Sequence, residues 1–142
     1  AGKLKSYVCD FPTSRLKDHP RVIMLPHLGA STVEAEDNCA IMVADQVRDY
    51  LENGVIHNSV NFPEMAMPRN GGPRLAIVNA NVPHMIERIS NAISTAGINI
   101  LDMLNKSRGE IACTLVDTDG SVPETVVAQI AEVQGVLNVR VL

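Results

Sequence analysis

Two side chains early in this sequence have the type and the surroundings for proton chemistry. His27 follows four apolar residues, Val22 to Leu25, and a proline, Pro26. An imidazole exchanges protons near neutral pH, so it can act as a general base or acid. A histidine in a strand-to-helix loop also serves as an ordinary structural or surface residue. Asp10 follows the short apolar stretch Ser6 to Cys9 and is itself followed by Phe11-Pro12-Thr13. A carboxylate just past a strand end can face a ligand, because ligands of open α/β sheets gather at the carboxyl ends of strands. Asp10 reads equally as a turn or cap residue. Cys9, Cys39 and Cys113 are odd in number and far apart. They have neither metal-ligand spacing nor a disulfide framework, which fits reduced thiols.

The elements around His27 are what would hold it. Val22 to Leu25 reads as a strand buried on both faces, and Pro26 ends it because it cannot donate to a ladder. Gly29 gives the backbone room to turn. Ser31 with Glu34 three residues on forms a capping box, and Glu34, Glu36 and Asp37 crowd the first turn, where the helix dipole favours them. Ala40, Val43, Val47 and Leu51 make an apolar stripe, and Gly54 is a natural stop. Residues 55–72 carry prolines and the Gly71-Gly72 pair between two patterned regions, which marks a linker.

The second region, 73–142, alternates strand and helix patterns. Strands are expected at Leu75 to Val78, Ile98 to Asn105, Ile111 to Val116 and Val136 to Leu142. A helix from near Pro83, capped by Asn81, carries Val82, Ile86, Ile89, Ile93 and Ala96 at helical spacing. A second, with Ser121 and Glu124 as a capping box, carries Val126, Ile130 and Val133. The order βαββαβ predicts a four-stranded antiparallel sheet with two helices on one face, a ferredoxin-like α+β unit. Its open edge strand invites pairing, edge to edge or helix to helix, in a homo-oligomer.

Composition narrows the class. A net charge of −4 without a Lys/Arg cluster argues against nucleic acid as a partner, and no apolar run is long enough for a membrane span. The N-terminus lacks a signal-peptide core. Hydrophobic content of 46% with only 3% aromatics predicts an aliphatic core. The expectation is a cytoplasmic protein.

The run Pro26-His27-Leu28-Gly29-Ala30-Ser31-Thr32, followed by an acidic, alanine-rich helix, closely resembles the catalytic-histidine segment of D-2-hydroxyacid dehydrogenases. Asn58-Ser59-Val60-Asn61-Phe62-Pro63-Glu64 and the second half are similar to a branch of that family that ends in a regulatory module. The resemblance implies that residues 1–54 are the tail of a Rossmann-like dehydrogenase domain. It implies His27 as the base that takes a hydroxyl proton from a 2-hydroxy acid, and NAD as cofactor, with Asp10, His27, Leu28, Gly29 and Ala30 beside it. Two departures matter. Where family members place a glutamate that pairs with the histidine, this chain has Ser14, with Asp18 the nearest downstream acid but read as a solvated turn residue, so His27 needs another orienter, such as an acid outside this chain, or works without one. No glycine-rich GxGxxG follows a strand, so the main NAD-binding motif is missing, and the chain alone is expected to be inactive.

Residues 73–142 resemble an ACT domain, a small amino-acid-binding regulatory module. The family pattern is His-x-Asn-x-Pro-Gly, with a further Asn after the helix-ending glycine. Here Asn79-Ala80-Asn81-Val82-Pro83-His84 and Gly97-Ile98-Asn99 stand in those places. The resemblance implies L-serine as effector, held by Asn79, Asn81 and Asn99, whose amides can donate to a carboxylate or accept from an ammonium group. Asn79 replaces the histidine, and His84 replaces a glycine that would let a ligand approach the backbone. Asn81 also reads as a helix cap and Asn99 as a strand-end polar residue. An ACT unit serving only assembly is the alternative.

Overall fold

The computed structural model describes residues 3–142. They fall into two compact units, 3–43 and 44–142, whose division falls within a long helix.

In the first unit, strands β1 (Tyr7–Cys9) and β2 (Val22–Met24) pair in parallel, Tyr7 opposite Val22 and Cys9 opposite Met24. A single 3₁₀ turn, Ser14–Leu16, lies between them. The expectation that Val22 to Leu25 is buried on both faces does not hold: Ile23 is 53% and Leu25 50% exposed. Burial belongs to what packs on a strand, and here β2 has one partner strand. Helix α1 runs Val33–Asn53 and buries none of its side chains. Its cap is Thr32, not Ser31: the Thr32 hydroxyl accepts from the Ala35 N–H at 3.2 Å. The Ser31 N–H is already spent in a turn, donating to Leu28 O.

The second unit is the expected βαββαβ: β3 (Arg74–Ala80), α2 (Met85–Thr95), β4 (Ile100–Arg108), β5 (Ile111–Thr118), α3 (Glu124–Ala131) and β6 (Val136–Val141). The sheet order is β4-β5-β3-β6 with every neighbour antiparallel. Side-chain alternation sorts β3 and β5 onto two faces. Leu75, Ile77 and Val116 meet Ile89 and Ile93 of α2 and Val126 and Ile130 of α3. Ala76, Cys113 and Leu115 face the other way and are covered by Ile56, Met65 and Met67. The segment expected to be a linker thus supplies side chains to a second core. It is tied back by an Ile56–Met65 bridge. Hydrogen bonds from His57 and from the Asn58 N–H to Glu64 close this loop and hold the Glu64 carboxyl below its usual range.

Both expected caps in this unit are misplaced. Helix α2 starts at Met85, because His84 adopts the left-handed conformation (φ 68°). The Asn81 amide instead donates to Gly109 O across the sheet end. Helix α3 starts at Glu124 after Pro123, with no side-chain cap. A bulge between Val78 and Asn79 shifts the pairing of β6, leaving Leu137 63% exposed while Val139 packs on the core.

Burial pushes the Cys113 thiol up from 9.0 to about 11. Its thiolate is disfavoured in the fold, so between pH 9 and 11 the unfolded chain releases a proton the native chain retains, and stability falls as pH rises. At pH 8, iodoacetamide is expected to alkylate exposed Cys39 and to spare Cys113 until denaturant is added. Native labelling of Cys113 at the rate of Cys39 would overturn this. Among the described residues, no helix is long and apolar enough to cross a membrane.

Candidate functional site

The parallel register of β1 and β2 brings Asp10 and His27 together. Cys9 and Met24 are opposite each other, and the Leu25 N–H donates to Cys9 O at 3.0 Å, so both chains leave the pair at the same end. Asp10 follows β1 directly and His27 follows β2 by three residues. Their side chains meet with Nδ1 of His27 3.0 Å from Oδ2 of Asp10. The edge of Phe11 packs against the imidazole, ring centroids 5.5 Å apart and planes at 81°. A carboxylate on Nδ1 assigns the proton to that nitrogen and leaves the Nε2 lone pair open. Both side chains are more than half exposed, so the dyad can reach a solute.

Sequence reasoning named both residues but assigned Asp10 to the cofactor and left His27 without an orienting acid. The contact supplies one. Ser14 lies in the 3₁₀ turn, and Asp18 sits at a left-handed position, φ 62°. Leu28, Gly29 and Ala30 lie exposed in the turn between β2 and α1, where the Leu28 N–H donates to Pro26 O.

A second site lies in the other unit. A cleft of about 400 Å³ opens beneath the start of α2, lined by Asn79, Asn81, His84, Glu87 and Asn105 among others. Asn79 is 1% exposed and joins a chain of polar side chains across three strands. Asn105 Nδ2 donates to Thr114 Oγ1 at 2.7 Å, and Thr114 Oγ1 donates to Asn79 Oδ1 at 3.4 Å. At the mouth, His84 Nδ1 stands 2.9 Å from a Glu87 carboxylate oxygen. Asn99 is not in this cleft. It lies in a separate depression of about 440 Å³ with Ser90, Asn91 and Ser94. Glu87 lines both.

The structure therefore brings Asn79 and Asn81 together and sets Asn99 apart. It adds two residues that sequence reasoning missed. Asn105 had one signal, a polar residue in step with inward-facing Met103 on the same strand. Glu87 had only its place in the first turn of α2, where a carboxylate is usual for the helix dipole alone.

No protein-family model matches the chain. It is 30% identical over 132 residues to D-3-phosphoglycerate dehydrogenase of Escherichia coli K12, covering 92% of this chain and 32% of that protein. Against the Haemophilus influenzae enzyme of the same name, identity is 31% over 130 residues, covering 91% and 32%. D-3-phosphoglycerate dehydrogenase 1 of Saccharomyces cerevisiae is 30% identical over 138 residues, covering 92% and 29%. The chain spans about a third of the length of these relatives. Among solved structures, the ACT domain from GTP pyrophosphokinase of Chlorobium tepidum overlays 49% of this chain and 95% of its own at a TM-score of 0.44 and 22% identity.

Proposed function

We propose that this chain is the C-terminal part of a cytoplasmic, NAD-dependent D-3-phosphoglycerate dehydrogenase, and that it combines a proton-transfer dyad with an amino-acid sensor. Residues 1–54 form the tail of the dehydrogenase region, 55–72 connect it while covering the sheet's outer face, and 73–142 form an ACT module that binds L-serine and joins copies of the protein. The observation that carries this reading is similarity at 30% identity across 92% of the chain to enzymes of that name.

Asp10 orients His27, whose Nε2 takes the hydroxyl proton of 3-phosphoglycerate, and the carboxylate stabilises the imidazolium that forms. The chain's residues fit the nicotinamide end of NAD alone: Asp10, His27 and the turn Leu28-Gly29-Ala30 lie at one end of the β1–β2 pair. Among the described residues, no glycine-rich loop follows a strand to give a pyrophosphate the cradle of backbone N–H groups it needs. When bound, NAD supplies the hydride acceptor. The isolated chain does not turn over. The open edges of β4 and β6 favour assembly through this module as a second role.

The test is NADH formation from 3-phosphoglycerate by the longer protein that carries this chain, titrated with L-serine. His27→Ala is expected to lower kcat by about 10²–10⁴-fold, the usual contribution of a positioned base. L-serine is expected to inhibit the unaltered protein. Absence of NADH formation overturns the enzymatic reading, and activity untouched by excess L-serine leaves the module to assembly.

A further inference from the structure

We propose that Glu87 is the residue by which the cleft beneath α2 recognises the ammonium group of its ligand, making the site selective for zwitterionic α-amino acids over simple 2-hydroxy acids. This rests on the amino-acid-sensing reading and names the group that enforces it.

Apart from Glu87 and its partner His84, the polar side chains that line the cleft are asparagine amides. Asn81 spends a donor on Gly109 O, Asn105 spends one on Thr114, and Asn79 spends one on Ala80 O. Asn81 and Asn105 each keep one amide N–H and a carbonyl oxygen beyond these bonds, so they can serve either pole of a zwitterion. Glu87 adds the only carboxylate among the cleft's lining residues. A single anionic group beside amides that can also accept is complementary to a cation that donates several hydrogen bonds, and an α-ammonium is such a group.

The other end of an amino acid also has a complement. The first N–H groups of α2 have no helical acceptor, and the residue before the helix makes no side-chain cap. They can donate to the ligand carboxylate. A carboxylate without an ammonium would meet Glu87 unscreened and be repelled. His84 acts as a positioning residue. Its left-handed backbone presents the imidazole to Glu87 at 2.9 Å and holds that carboxylate at the cleft mouth.

The test is calorimetric binding of L-serine and L-glycerate, which has a hydroxyl where serine has its ammonium, to the full chain and to Glu87→Gln. The unaltered chain is expected to bind L-serine at least tenfold tighter than L-glycerate. Glu87→Gln is expected to lose at least tenfold for L-serine and to bind L-glycerate as well as before or better. The variant should melt with the unaltered chain, because an exposed ion pair contributes little to stability. Unchanged L-serine affinity in Glu87→Gln overturns the proposal. If L-serine does not bind, the remaining standard L-amino acids are screened. One that binds, and is lost in Glu87→Gln, sinks the serine assignment and upholds the role of Glu87. If none binds, both fall.

Discussion

Arg74→Ala is expected to lower the stability of the second unit by about 3–5 kcal/mol, the usual cost of breaking a buried ion pair by removing one partner. Arg74 is 0% and Asp117 2% exposed. They face each other in the register of β3 and β5 and form a two-pronged pair, Nε to Oδ1 at 2.6 Å and Nη2 to Oδ2 at 2.8 Å. The remaining guanidinium protons go to the carbonyls of Met67, Pro68 and Asn53 at 2.8, 2.8 and 3.1 Å. Every donor of the fork is used. Alanine leaves a buried carboxylate without a counter-charge and three carbonyls without a donor. Typical domains have only about 5–15 kcal/mol in total, so the loss shows as a large drop in denaturation midpoint. Replacing both residues, Arg74→Met with Asp117→Leu, should recover much of it, because the desolvation cost disappears with the charges. An Arg74→Ala chain within about 1 kcal/mol of the unaltered one would show that the pair is dispensable.

Gly54→Ala is expected to cost about 2–5 kcal/mol, in two separable parts. Gly54 ends α1 with φ +71°, and a left-handed backbone costs an L-residue about 1–2 kcal/mol. An added Cβ would also stand 2.6 Å from Leu115 Cδ2 and 3.1 Å from Leu142 Cδ1. Leu115 is fully buried, and overpacking such a site adds about 1–3 kcal/mol. Gly97→Ala is the control. Its φ is +75°, yet nothing lies within 4 Å of the new carbon, so it pays for the backbone alone. Equal melting temperatures for the two variants would show that the core around Leu115 yields freely.

The helix-ending role of Gly54 was legible in the sequence, but its closeness to Leu115 was not, since that depends on how the sheet passes the helix end. The same division recurs through the chain. The spacing of Ile89 and Ile93, and of Val126 and Ile130, announced the faces that α2 and α3 bury. Local pattern was enough there, because periodicity and burial coincide. Caps failed for a physical reason: a polar side chain near a helix start has competitors. Asn81 was claimed by Gly109 O, brought close by the β4–β5 turn, and Ser31 was passed over for Thr32. Val22 to Leu25 misled in another way. An apolar run states what a strand can bury, not what surrounds it. For the candidate sites, His27 and Asp10 were visible as separate residues, and only the parallel register joined them. Asn79 and Asn81 line one cleft, whereas Asn99 lies at the opposite end of α2 in another.

The cover on the sheet's outer face has a bearing on how this part can be shuffled between proteins. Ile56, Met65 and Met67 shield Ala76, Cys113 and Leu115, with Tyr50 and Phe62 packed beside them. Arg140 lies over the Tyr50 ring at 4.6 Å and donates to its carbonyl. A cassette excised at the first residue of β3 would be cut from that shield and would expose an aliphatic face large enough to cause aggregation. The inheritable part begins earlier, within α1 and ahead of Tyr50. Any recombination that keeps the sensor intact must carry the end of that helix with it, so the fold travels with its own handle.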